Sequence, residues 1–94
     1  MVVLQIDHRA LGLLLAYLIA IVGFSILHWW LWKQNPLNYN GVKESFDIVY
    51  FTFTTQVGVG YGDVTPATQT SKTAVMLQYL VMLFLIAQIF FSLW

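Results

Sequence analysis

The sequence predicts an all-α membrane protein in which two transmembrane helices flank a shorter, re-entrant helix. Three observations carry this. Of 94 residues, 60% are hydrophobic and 9% charged, against roughly 25% charged in an ordinary soluble domain. Ala10 to Trp32 and Thr73 to Trp94 contain no Asp, Glu, Lys or Arg over 23 and 22 residues, and about 20 apolar residues suffice to cross ~30 Å of hydrocarbon. Between them, a third apolar run too short to span leads directly into Gly58-Val59-Gly60-Tyr61-Gly62, an alternation that regular helix does not accommodate.

The first nine residues end in Asp7-His8-Arg9, a polar boundary that reads as a helix end rather than an interfacial anchor. The first span, 10–32, has no small-residue cleavage site ahead of its bulky end and is too long for a signal core, so it reads as mature structure. It closes on Trp29, Trp30, Trp32 and Lys33, an aromatic belt followed by a cationic stop. His28, just inside that belt, reads as an interfacial side chain with no assigned role. Residues 33–43 are dense in turn formers and contain Pro36, so they form a loop; none of its asparagines stands in an N-x-[ST] sequon.

Residues 44–56 form the short helix, with Ser45 placed to cap it and Glu44 and Asp47 near its N-terminus. Residues 57–63 are the irregular glycine segment, and Val64-Thr65-Pro66-Ala67 makes a turn. The second span, 72–94, contains neither Gly nor Pro, which predicts a continuous helix without a hinge ending at an interfacial Trp94. One domain therefore occupies 1–94.

Composition narrows the function as well. Net charge is zero, and four basic and four acidic residues in no long run leave no nucleic-acid footprint. The absence of cysteine removes disulfides and thiolate metal sites. So little soluble sequence remains that a catalytic domain or small-molecule substrate site has no room, and no pair of catalytic groups stands outside the glycine segment. Enzyme chemistry is not expected.

Irregular backbone at membrane depth is tolerated only where it is buried in protein or lines a watery path. Glycine's access to left-handed angles lets successive carbonyls turn to one side, so a ring of such strands presents stacked carbonyl oxygens able to replace a cation's water shell. Val59 and Tyr61 would then pack behind the strand. A dinucleotide fingerprint requires G-x-G-x-x-G between strand and helix, whereas this chain has G-x-G-x-G after an apolar run. No internal repeat is visible, so a closed ring needs several chains.

Tyr50-Phe51-Thr52-Phe53-Thr54-Thr55-Gln56-Val57-Gly58-Val59-Gly60-Tyr61-Gly62-Asp63 resembles the pore helix and selectivity filter of potassium channels, whose filter reads T-V-G-Y-G-D. The V-G-Y-G-D part matches letter for letter, and Pro66 and Lys72 fit the family spacing. The resemblance covers nearly the whole chain and is greatest to the miniature potassium channels of algal viruses. It implies a homotetramer in a lipid bilayer that conducts K+ passively, without cofactor, through ion sites made by the carbonyls of Gly58, Val59, Gly60 and Tyr61. One departure stands out: the family's filter opens with threonine, and this chain has Gly58. The hydroxyl ring of the innermost site is lost, which makes a weakly selective cation channel the first alternative. A non-conducting subunit that modulates other channels is the second.

Among supporting residues, Gly62 completes the filter and an Asp63 ring would concentrate cations at the outer mouth. Tyr50 holds the family position that hydrogen-bonds this aspartate. Thr54 and Thr55 end the pore helix, whose C-terminal dipole favours a cation; the alternative for both is bonding back to helix carbonyls. Two faces of the second span compete for the cavity. Gln78, Val81, Leu85, Gln88 and Ser92 follow a three-four spacing; the family register instead selects Leu83, Ile86, Phe90 and Trp94, with the glutamines left for helix–helix bonds and Phe90 or Trp94 as an apolar gate. Orientation also pulls two ways. Lys33, Lys43 and Lys72 lie on the filter side and only Arg9 on the other, so positive-inside counting opposes the outward filter that the resemblance implies. No span is arginine-rich, which argues against a voltage sensor of the usual kind.

Overall fold

The computed structural model describes residues 8–92. Helix α1 runs His8–Gln34, α2 Ser45–Gln56 and α3 Gln69–Ser92. At 1.5 Å per residue, α1 and α3 are each long enough to cross ~30 Å of hydrocarbon, and α2 is not. The architecture is thus two long apolar helices flanking a short one. The molecule measures 50 × 20 × 19 Å, its long axis set by the two spans. Residues 1–7 and 93–94, Trp94 among them, lie outside the described residues.

Each helix presents one stripe to its neighbours. On α1 the stripe is Tyr17, Ile21, Phe24, His28 and Leu31; on α2 it is Ile48, Phe51, Thr52, Thr55 and Gln56; on α3 it is Ser71, Ala74, Val75, Gln78 and Met82. These three-four spacings are the helical period. The remaining faces of α1 and α3 are apolar and exposed, with Ile19, Val22, Ile26, Leu80 and Phe84 among them. Apolar all round is what lipid or neighbouring subunits require and what water would penalise. The core sits at one end, where α2 wedges between the spans and Leu31, Tyr39, Ile48, Phe51, Val64 and Val75 cluster.

The α2 N-terminus corrects the expected cap. Glu44, not Ser45, is the N-cap residue. The Asp47 carboxylate reaches back to accept from the backbone N–H of Lys43 (2.8 Å) and Glu44 (3.1 Å), the returning half of a capping box. Ser45 Oγ instead accepts from the indole of Trp29 at 3.1 Å, tying α2 to the aromatic end of α1. The Lys33 ammonium lies 5.7 and 5.1 Å from the ring centres of Trp29 and Trp32, within cation–π reach.

The loop after α1 carries more order than its turn formers suggest. A single 3₁₀ turn, Pro36–Asn38, leads into strand β1, Tyr39–Asn40, which pairs antiparallel with β2, Thr65–Pro66. The segment 64–67, expected as a turn, is thus partly a strand. Asn38 is the fastener. Its amide donates to Leu31 O (2.8 Å), its side-chain oxygen accepts from Thr68 Oγ1 (2.6 Å), and its carbonyl accepts from Ala67 N (2.8 Å). One side chain joins the end of α1 to the start of α3.

Candidate functional site

The glycine segment hangs from the C-terminus of α2. A helix leaves its last carbonyls without intrahelical donors, and here the first amides of the segment supply them. Gly58 N–H donates to Thr55 O at 3.1 Å, and Val59 and Gly60 N–H donate to Thr54 O at 2.9 and 3.3 Å. The chain therefore folds back over the helix end, and its position is inherited from Thr54 and Thr55. The Thr54 hydroxyl bonds back to Phe51 O at 3.0 Å, and Thr55 is buried.

Gly58 has φ +80°, a left-handed angle, and a Cβ built there meets nothing within 4 Å. Backbone conformation, not space, is what favours glycine. The sequence showed only a missing hydroxyl at this position. The structure adds that a β-branched residue is strained there.

The outer half of the segment is braced by aromatic rings and a loop. Tyr61 stacks on Tyr50 of α2, with ring centres 6.4 Å apart and planes 8° from parallel. The neighbouring Asp63 carboxylate raises the pKa of the Tyr50 hydroxyl above the ordinary phenol value. Asp63 Oδ1 also accepts from Val64 N at 3.1 Å. From the other side, Gly41 approaches so closely that a Cβ there would lie 2.0 Å from Asp63 O. Gly58 to Asp63 are all exposed in the single protomer, Tyr61 by 70%.

Behind the α2 terminus lies a buried polar chain that joins all three helices. His28 of α1, Gln78 of α3 and Gln56 of α2 are each 0% exposed. Gln78 Nε2 donates to Thr52 O (3.2 Å) and Gln56 Oε1 (2.9 Å), so Gln78 Oε1 must face His28 Nε2 at 2.8 Å. That nitrogen carries the proton, since the amide oxygen only accepts. His28 Nδ1 accepts from the Tyr39 hydroxyl at 2.5 Å. Burial raises the Tyr39 pKa, which keeps this donor protonated. Lastly, the Tyr17 hydroxyl donates to Gln56 O at 2.7 Å. His28 is therefore not the interfacial side chain its neighbours suggested: it packs edge-on against Tyr39 and Phe51 at 5.6 and 5.3 Å.

A family model described as Ion channel, Ion_trans_2, matches residues 11–93. The chain belongs to this ion channel family. No curated protein and no solved structure matches it. The channel is accordingly an integral membrane protein with two spans, and it is not an enzyme.

On α3 the channel separates the two competing faces. Gln78 is bonded to α1 and α2, and Val81 and Leu85 line a cleft of about 460 Å³ against Ala16, Ala20 and Gly23 of α1. That face is turned inward to the protomer. Leu83, Ile86 and Phe90 are exposed on other sides, and the Phe90 ring meets Phe91 at 6.2 Å. Ser92 Oγ bonds back to Ile89 O at 2.9 Å. Trp94, the remaining gate candidate, falls outside the described residues.

Sequence reasoning missed His28, Gln56 and Tyr39 as a group. The available signal was thermodynamic: polar side chains inside apolar helices are costly unless paired, so a histidine in one span and a glutamine in the other call for partners. Only the packing says that they are each other's.

Proposed function

We propose that this channel conducts potassium passively through a fourfold pore in which Gly58 to Asp63 is the selectivity filter. The observation that supports it best is the seating of this segment: irregular backbone held on the terminal carbonyls of a helix too short to span, and left uncovered on one side of the protomer. Four such segments facing one another would stack carbonyl rings from Gly58, Val59, Gly60 and Tyr61, each able to replace part of an ion's hydration shell. The C-terminal dipole of α2 favours a cation there, and the Asp63 carboxylates would raise its concentration at the mouth. Gly62 and the Tyr50–Asp63 pair support the outer turn. Leu83, Ile86 and Phe90 would line the inner path, with Phe90 or Trp94 as an apolar constriction.

The carbonyl groups supply all the chemistry, so no cofactor enters. In this reading the protein works as the miniature channels of algal viruses do, with the filter mouth facing outward despite the three lysines on that side. Single-channel recording of purified protein in bilayers under potassium/sodium gradients tests the reading. A reversal potential near the potassium equilibrium value supports it. A reversal near zero makes the protein a weakly selective cation channel, a reading that the left-handed, hydroxyl-free Gly58 favours. Silence in bilayers, combined with co-assembly with another channel, would make it a modulatory subunit.

A further inference from the structure

We infer that the buried His28–Gln78–Gln56 relay positions the inner end of the filter and so sets ion selectivity, taking over support that no side chain at residue 58 provides. The inference rests on the filter reading above.

The filter's first three amides are fixed by Thr54 O and Thr55 O, so any sideways movement of the last turn of α2 moves the filter with it. What holds that last turn is the relay. Gln78 grips α2 twice, at Thr52 O and at Gln56 Oε1, and Tyr17 grips it a third time at Gln56 O. Gln78 is in turn held by His28, and His28 by Tyr39, which is itself part of the β1–β2 pair. The bonds run in one direction from Tyr39 to Gln56, because each amide and ring orientation is dictated by the next carbonyl. Within the protomer residue 58 contributes nothing comparable, since even a Cβ there would touch nothing within 4 Å.

Folding alone does not account for these residue types. Gln56 Nε2 is buried with no hydrogen-bond partner among the described residues, a cost that an apolar residue of similar size would avoid. Polar residues that carry such a cost fix a geometry more narrowly than apolar packing does. Here the geometry is the register of α2 between the two spans. His28, Gln78 and Gln56 are positioning residues, since they act on the ion path only through the α2 terminus.

The experiment is bi-ionic reversal-potential measurement on full-length protein in planar bilayers, comparing the natural chain with Gln78→Met, His28→Phe and His28→Gln. Methionine and phenylalanine keep approximate volume and remove the relay's bonds. Glutamine at 28 keeps an N–H donor near the position of Nε2. The relay predicts that Gln78→Met and His28→Phe lower the potassium/sodium permeability ratio by about two- to tenfold, the range one net hydrogen bond spans. His28→Gln should restore the natural ratio.

Light scattering in detergent reports assembly in parallel. Natural selectivity in assembled Gln78→Met and His28→Phe would overturn the inference while leaving the filter reading intact. Failure of both to assemble would also overturn it, since the relay would then be a folding element. A natural chain that passes no current would remove the filter reading and, with it, the relay's role.

Discussion

Two glycines and the Tyr50–Asp63 pair shape how the glycine segment is held, and each makes a separate demand. Gly41 has φ +83° and sits against Asp63 O, so Gly41→Ala adds both strain and a backbone collision. We expect it to displace the Asp63 turn and to destabilise the protomer by about 2 kcal/mol or more, read as a lowered thermal midpoint of the detergent-solubilised particle. Gly58 asks only for conformation. Gly58→Ser and Gly58→Ala should carry the same left-handed strain, of order 1–2 kcal/mol, and differ in the hydroxyl alone. If the absent hydroxyl weakens the innermost ion site, the serine variant binds blocking barium more tightly than the alanine variant; equal block would refute that account. Tyr50→Phe keeps the stack on Tyr61 and removes the hydroxyl neighbouring Asp63, so shorter openings are expected, and Tyr50→Trp, with its indole donor, should lengthen them again.

At the scale of elements, the helices were legible because their physics is local. Apolar length marks a span, and Trp29, Trp30, Trp32 and Lys33 mark its end. A dozen apolar residues before alternating glycines mark a re-entrant helix. What stayed hidden were elements made by partners distant in sequence. Tyr39–Asn40 becomes a strand only because Thr65–Pro66 lies beside it, and Asn38 is a fastener only because Thr68 and Leu31 meet around it. Ser45 was a reasonable cap by residue type, yet Asp47 reaches the Lys43 and Glu44 amides and leaves Ser45 for Trp29. On α3, both candidate faces have helical spacing, and packing against α1 claims the one containing Gln78. The exposed face yields a prediction at this scale. Phe90→Ala should raise open probability and admit larger cytosolic blocking cations, and unchanged values for both would exclude Phe90 as a constriction.

For the whole molecule, one protomer leaves its glycine segment and most of both spans uncovered, surface that lipid and the proposed fourfold assembly would cover. Multi-angle light scattering of the solubilised protein should return about four times the 10.8 kDa protomer mass, after subtraction of detergent. A monomer or dimer that still conducts selectively would contradict a fourfold path.

The sequence by itself determined the membrane class and the order of span, short helix, irregular segment and span. These follow from hydrophobic length and from glycine's backbone freedom, which are properties of contiguous residues. Tertiary structure alone decided that His28 is a buried link rather than an interfacial ring, that Gln78 binds two helices at once, and that Gly58 is left-handed. The reason is that a buried polar group is stable only with a partner, and the partners here lie 11 to 50 residues away along the chain.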